Sequence, residues 1–151
     1  MGMHAPWKEV VERERAGILL AWQDEALGLF SEKMAPGTPM AEALGDAMGL
    51  ILDDLVSSEN EATQDGLERL MRIFAVHPFP PSRSLSVFRG LELIVREAGH
   101  GLVNDEELRE CIDRLTLQAF DRFMEQREKI YRLKVEEERG KMHMLLRGGR
   151  S

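Results

Sequence analysis

The four histidines are the first residues to consider for metal or cofactor chemistry. They stand at His4, His77, His100 and His143. None has a second histidine or an acid at the spacing that presents two ligands on one helix face, so we expect no metal site. A haem would need only one axial histidine in an apolar pocket. His77 and His100 are the two candidates, but both stand beside proline or glycine at predicted helix ends, and we expect no haem.

Acidic side chains and the single cysteine offer no catalytic pair. Asp53, Asp54 and residues 136–138 form acidic runs typical of solvated helix faces, whereas general acid catalysis needs an isolated carboxyl with a perturbed pKa. Cys111 is the one cysteine, which excludes an internal disulfide, and its place in a helical pattern favours a buried thiol. The sequence also lacks a glycine-rich phosphate loop and a serine elbow. We therefore expect no enzyme and no bound cofactor.

The densest unusual segment is residues 72–83, where prolines and aromatic residues are flanked by basic ones. As structure, it predicts an interhelical corner in which Phe79 packs inward while the arginine side chains lie along the surface. As a site, it could hold an anionic ligand, because a helix N-terminus beside two guanidinium groups attracts negative charge. The candidate ligand residues are Arg72, His77, Ser82 and Arg83. We favour the corner and keep the ligand site as the alternative.

Helical spacing of apolar residues predicts the elements that must position these groups. Residues 7–30 suit one or two amphipathic helices, with Gly17 weakening the middle. Thr38 can cap a second helix that has Pro39 in its first turn and runs to about Val56. In that helix we expect close packing of a neighbouring helix at Gly45 and Gly49, and solvent exposure of Asp46, Asp53 and Asp54.

Two further helices flank the corner. The third runs over about residues 61–76 and stops because His77 precedes Pro78, which disfavours the α region. Ser82 can cap the fourth helix, which ends near Gly99 and Gly101. The fourth helix should bury Leu85, Phe88, Leu91, Leu93, Ile94 and Val95, and it should leave Arg89, Glu92 and Arg96 outward.

The last predicted helix is the longest element of the chain. Asn104 can cap it, and it would measure roughly 55 Å from Asp105 to Lys141 at about 1.5 Å per residue. That length exceeds what a compact domain of this size needs, so part of the helix should project. Its predicted core positions step by threes, fours and sevens, as in a coiled-coil seam. These positions are Leu108, Ile112, Leu115, Ala119, Phe123 and Ile130.

The second half of this helix, beyond Phe123, has two interpretations of equal weight. It is either a solvated end, or it pairs with a partner helix or a second copy of the chain. The candidate partner surface is Arg127, Ile130, Tyr131, Lys134 and Arg139. We expect one domain over residues 5–146 and a disordered tail over residues 147–151.

Composition and charge limit the classes of function that the chain can have. The 151 residues carry a formal charge of −7, which argues against non-specific nucleic-acid binding. Residues 1–64 hold twelve acids against four basic residues, and residues 126–151 hold eight basic residues against four acids. These unlike ends could attract each other within one chain or between two. No leader or membrane span is evident, so we expect a cytoplasmic protein without membrane insertion.

Two stretches resemble the N-terminal domain of the RsbR/RsbRD family, the RsbT co-antagonist proteins of bacterial stress signalling. They are LERLMRIFAVHPFPPS at residues 67–82, and IDRL followed by AFDRFMEQREKIY within residues 112–131. The resemblance implies a globin-like bundle of about five to seven helices without haem, with homodimers formed through terminal helices. It also implies sensory input that passes along the final helix. The sequence ends at Ser151 without the STAS domain of full-length members, so we expect a single-domain member.

From these observations we expect a homodimeric regulatory module that binds a partner signalling or redox protein through its last helix. A redox protein is considered as the partner because compact proteins that share the stretch at residues 127–131 accompany sulfur-respiration systems. A second hypothesis is a small-molecule sensor with a ligand between helices or at residues 77–83. A third is an accessory subunit of a redox complex.

Overall fold

Six α-helices make up the part of the chain that can be described. The computed structural model describes residues 6–30, 37–57, 61–101 and 106–148, and it contains no β-strand among them. The helices are α1 (Pro6–Arg13), α2 (Arg15–Leu27), α3 (Pro39–Ser57), α4 (Glu61–Ala75), α5 (Pro81–Ala98) and α6 (Glu106–Gly148). The predictions of an all-α fold and of a long last helix are confirmed.

The first predicted segment is two helices, and the break falls at Glu14. Glu14 has φ −106° and ψ 22°, outside the helical region, whereas Gly17 lies inside α2. At the start of α3, the Thr38 hydroxyl accepts a hydrogen bond from the Ala41 amide at 3.2 Å. This bond satisfies one of the free amides of the first turn, so the predicted cap is confirmed.

The corner between α4 and α5 corrects one predicted cap. α5 begins at Pro81, and its N-cap residue is Pro80 with φ −66° and ψ 152°. Ser82 therefore lies inside the first turn and does not cap the helix. The reason is that Pro81 has no amide hydrogen to lose and has a φ already suited to the first helical position, so the helix starts before the serine. The predicted cap Asn104 lies outside the described residues.

The core forms where α3 packs on α4, and where α4 and α5 pack on the first half of α6. α2 lies against α3 and α5, and long side chains of α2 approach the two glycines of the prediction: a Cβ would overlap the end of the Gln23 side chain at Gly45 and lie 3.3 Å from Arg15 Nη2 at Gly49. A second close approach joins α3 to α4, where a Cβ at Gly66 would lie 2.8 Å from the Ala47 carbonyl oxygen. The largest fully buried side chains include Trp7, Trp22, Phe74, Phe88 and Phe123.

Three predictions about helix faces are wrong. Asp54 and Glu92 were expected in solvent, but each side chain is buried. Asp54 accepts a hydrogen bond from the Thr63 amide at 2.9 Å and also bonds the Thr63 hydroxyl, so it caps the start of α4. Glu92 pairs with Arg96 at 3.0 Å. Leu93 was expected inward but is 52% exposed, because its neighbour Glu92 takes the inward position on α5.

Helix α6 contains 43 residues and would span about 64 Å at about 1.5 Å per residue. Its predicted core stripe is confirmed, since Leu108, Ile112, Leu115, Ala119 and Phe123 are all buried. Gln126 is the last buried residue of the helix. We call residues 131–148 the projecting segment, because every side chain there is exposed except that of Val135, which is half-buried.

Gly140 does not interrupt α6, and Arg147 and Gly148, placed by the sequence in the tail, are helical. Residues 149–151 lie outside the described part of the chain. None of the helices described has both the length and the apolar character needed to cross a membrane.

Candidate functional site

The two candidate regions of the sequence meet at Arg127. The Arg127 guanidinium donates from Nε to the Ala75 carbonyl at 2.7 Å, and from Nη2 to the carbonyls of His77 and Phe79, each at 2.7 Å. It also lies 4.7 Å from the ring centroid of Phe123. Carbonyls at a helix C-terminus have no intrahelical donor, so an arginine from another helix satisfies them. Arg127 thus fastens α6 to the corner that follows α4.

His77 is a packed structural residue of this corner. Its Nδ1 lies 2.9 Å from the Ile73 carbonyl, which can only accept, so Nδ1 carries the proton in this bond. The imidazole ring meets Phe30 edge-on at 4.7 Å and stacks on Phe79 at 5.6 Å between ring centroids. These contacts hold the ring in one orientation inside an aromatic cluster.

Arg83 belongs to the same cluster, but Arg72 does not. Arg83 donates to the Leu29 carbonyl at 2.6 Å, and its guanidinium lies 5.2 Å from the Phe79 ring centroid. Arg72 instead donates to Glu68 on its own helix at 3.0 Å, and its side chain is more than half exposed. Ser82 is exposed in the first turn of α5. The four candidate residues therefore do not converge on one point.

These contacts favour the interhelical corner over the anionic-ligand site. Phe79 is buried, as the corner interpretation predicts. The charge of Arg72 is offset by the Glu68 carboxylate, and the Arg83 guanidinium keeps its charge but is held by the Leu29 carbonyl. The ligand site stays a prediction for which we find no supporting contact.

The candidate partner surface divides into a packed part and an exposed part. Arg127 is engaged at the corner, and Ile130 is half-buried against the core. Tyr131 is 71% exposed, and Lys134 and Arg139 are exposed as well. Only these last three residues lie where another molecule can reach them fully.

A second apolar stripe on α6 was missed by the sequence analysis. Leu117, Phe120 and Met124 lie on the packed half of the helix, yet they are 69%, 42% and 40% exposed. Their spacing of three and four matches one helix face, and steps of seven and eleven extend that face to Tyr131 and Met142. The signal was available in the sequence, as a second 3.6-residue periodicity offset from the core stripe. We call the complete face the outer stripe: Leu117, Phe120, Met124, Tyr131, Val135, Met142 and Leu145.

Cys111 lies in the wall of a cleft between the first and last helices, and its side chain is partly buried. Burial raises the pKa of the Cys111 thiol, because the thiolate loses hydration. Glu107 raises this pKa further, while Arg114 and Lys8 oppose the shift. The sequence predicted a buried thiol, and the burial is partial. A raised pKa leaves less thiolate at neutral pH.

Among the residues described, no three His, Cys, Asp or Glu side chains are grouped as a metal site would require. Comparison of the chain with protein-family models, with curated proteins and with solved structures found no match in any of the three. The function must therefore be argued from the geometry of α6, of the corner and of the cleft.

Proposed function

We propose that this protein is a non-enzymatic regulatory module that binds a partner protein along α6 and assembles as a homodimer. The observation that carries the proposal is the outer stripe, which continues from the packed half of α6 into the projecting segment. Glu128 and Glu138 are the acidic residues that interrupt this stripe. Soluble proteins rarely leave an extended apolar surface open to water unless another molecule covers it. A helix that lies along α6 is the simplest cover, because apolar residues at spacings of three, four and seven pack against a second helix.

Charge adds a second element of recognition. From Glu128 to Gly148 the helix carries six Lys or Arg against four Glu, an excess of two positive charges beside the apolar face, and Lys141 already pairs with Glu137 at 3.4 Å. The first 64 residues of the chain are acidic by eight charges. An acidic partner surface is therefore complementary, and a second copy of the chain supplies one.

The corner gives the module a route for transmitting a signal. Arg127 stands four residues before Tyr131 and bonds three carbonyls of the segment between α4 and α5. A shift of that segment would change the anchoring of α6 just where the helix leaves the core. This proposal fits the RsbR/RsbRD resemblance, in which input passes along the final helix, and with it we propose a globin-like arrangement without haem and a cytoplasmic role.

The experiment is light scattering coupled to size-exclusion chromatography at tens of micromolar protein. We expect a dimer for the native chain and a monomer for the triple variant Tyr131→Ser, Met142→Ser, Leu145→Ser. The matched control is the pair Leu20→Ser and Leu93→Ser, which are 69% and 52% exposed on α2 and α5. This control should remain a dimer, because it also removes exposed apolar surface but leaves α6 unchanged.

A pull-down from the native host with the same three proteins tests the partner. A signalling or redox protein that the native chain and the control retain, and that the triple variant loses, would support the proposal. Equal retention by all three proteins would place the binding surface away from the projecting segment and would contradict it.

A further inference from the structure

A cleft lies where α1, α3 and α4 meet the first turns of α6. Its volume is about 260 Å³. That is smaller than the usual site for a drug-sized ligand, and it corresponds to the space of roughly nine water molecules. The wall is part polar and part apolar, with Leu55 and Leu115 among the lining residues.

The indole of Trp7 forms part of this wall, and its N–H has no partner among the residues that the structure describes. Trp7 is 1% exposed, and its Nε1 has no hydrogen-bond partner in the described part of the chain. The other tryptophan behaves in the usual way, since Trp22 donates from Nε1 to the Val87 carbonyl at 2.8 Å. Buried tryptophan N–H groups normally find an acceptor, and the described residues supply none for Trp7.

Two cations stand in the same wall. Lys8 lies with its ammonium 5.6 Å from the centroid of the Trp7 ring, and Arg114 projects from α6. Both lower the pKa of the Cys111 thiol, which shows that they lie near it, and the Glu107 carboxylate, which also lines the cleft, raises that pKa. Asp54 also lines the cleft, but its carboxylate accepts the Thr63 amide and hydroxyl at the start of α4.

We propose that this cleft binds a small organic anion through its carboxylate. Arg114 and Lys8 would supply the charge, and the Trp7 indole N–H would supply a neutral donor. A guanidinium presents parallel donors that match the two oxygens of a carboxylate. Leu55, Leu115 and the Trp7 ring would cover the carbon skeleton, which favours an organic anion over an inorganic one.

This inference is independent of the partner surface. The cleft lies at the first turns of α6, whereas the projecting segment lies beyond residue 130, so either proposal can fail while the other stands. If both hold, the cleft gives the regulatory module an input, because a bound anion would tie α1 to α6.

The test uses the single cysteine of the native chain as a reporter. Cys111 lines the cleft, so a bound ligand should slow its alkylation by iodoacetamide, a neutral reagent, followed by mass spectrometry at constant ionic strength. The probes are acetate, pyruvate and succinate, with inorganic phosphate and chloride as separate arms. We expect saturable protection of at least about threefold from one of the carboxylates, and none from chloride.

Three variants decide whether protection comes from the proposed groups. Arg114→Gln and Trp7→Phe should each raise the half-protecting concentration about tenfold or more, since one removes the charge and the other removes the N–H together with part of the indole ring. Arg109→Gln removes the same charge from α6 outside the cleft and should leave protection unchanged. The proposal is overturned if no carboxylate protects at tens of millimolar, if Arg114→Gln protects as the native chain does, or if phosphate alone protects.

Discussion

Arg127 donates a hydrogen bond to the backbone carbonyl of His77 at 2.7 Å, although fifty residues separate them in sequence. This contact joins the last helix to the corner between α4 and α5. In the sequence Arg127 only interrupts the apolar seam. In the structure its hydrogen bonds hold α6 against the corner.

Arg127→Met should destabilise the fold by about 2 kcal/mol, because it leaves three carbonyls without a charged donor. Arg127→Lys should lose nearly as much, since one ammonium cannot reproduce the planar fork. The measurement is the free energy of unfolding in urea, followed by circular dichroism. Arg132→Met is the control, because Arg132 is exposed on the same helix. Equal urea midpoints for Arg127→Met and Arg132→Met would show that the three hydrogen bonds of Arg127 add nothing to the free energy of unfolding.

Gly66→Ala and Gly17→Ala should change stability in opposite directions. A Cβ at Gly66 would lie 2.8 Å from the Ala47 carbonyl oxygen, so α3 and α4 must separate at a cost of about 1 to 3 kcal/mol. A Cβ at Gly17 would meet nothing within 4 Å, and alanine should stabilise α2 by up to about 1 kcal/mol. Thermal unfolding of the two variants checks both signs. A neutral Gly66→Ala would mean that the two helices are not in close contact.

His100→Gly should stabilise the chain by about 1 kcal/mol. His100 has φ +55° just after α5, in the left-handed region that costs a residue with a side chain about that much. Glycine adopts this conformation freely, and its greater freedom in the unfolded chain offsets part of the gain. Gly101→Ala, at φ +75°, should destabilise and serves as the opposite control. A lower melting temperature for His100→Gly would show that the imidazole makes a contact worth more than the strain.

The Cys111 thiol should make stability depend on pH above the ordinary thiol range. Burial raises its pKa in the folded chain, so the unfolded chain loses the proton first. The contribution of the protonated thiol to the free energy of unfolding is therefore complete below the unfolded thiol pKa of about 8.5. It declines as pH rises through the thiol pKa of the folded chain. Urea midpoints between pH 7 and 10 should fall more for the native chain than for Cys111→Ser. Parallel curves for the two proteins would contradict the burial of the thiol.

The helices could be predicted because apolar residues recur at helical spacing and prolines mark the breaks. The stripe from Leu108 to Phe123 and the inward position of Phe79 follow from local pattern alone. The buried positions of Asp54 and Glu92 could not be predicted in this way. Asp54 accepts a hydrogen bond from Thr63 on the next helix, a partner that only folding brings near. Glu92 pairs with Arg96 one turn along α5, but which face of α5 is buried depends on how α5 packs against other helices and not on that pairing.

The candidate site was predicted in part, for the same reason. The sequence drew attention to residues 72–83 and to α6, but it treated them as separate regions. Their connection through Arg127 depends on how α6 crosses the end of α4, which no spacing in the sequence reports. The cleft beside Trp7 was missed altogether, because its walls come from four different helices and no single helix pattern reports it.

The most direct test of the central claim compares the native chain with one truncated after Arg132, by light scattering and urea unfolding on the same samples. The last buried residue of α6 is Gln126, so the truncated chain should keep the native urea midpoint within about 1 kcal/mol of unfolding free energy. We predict that the native chain has the mass of a dimer and that the folded, truncated chain has the mass of a monomer. A native chain that is monomeric at tens of micromolar, or a truncated chain that stays dimeric, would contradict the account.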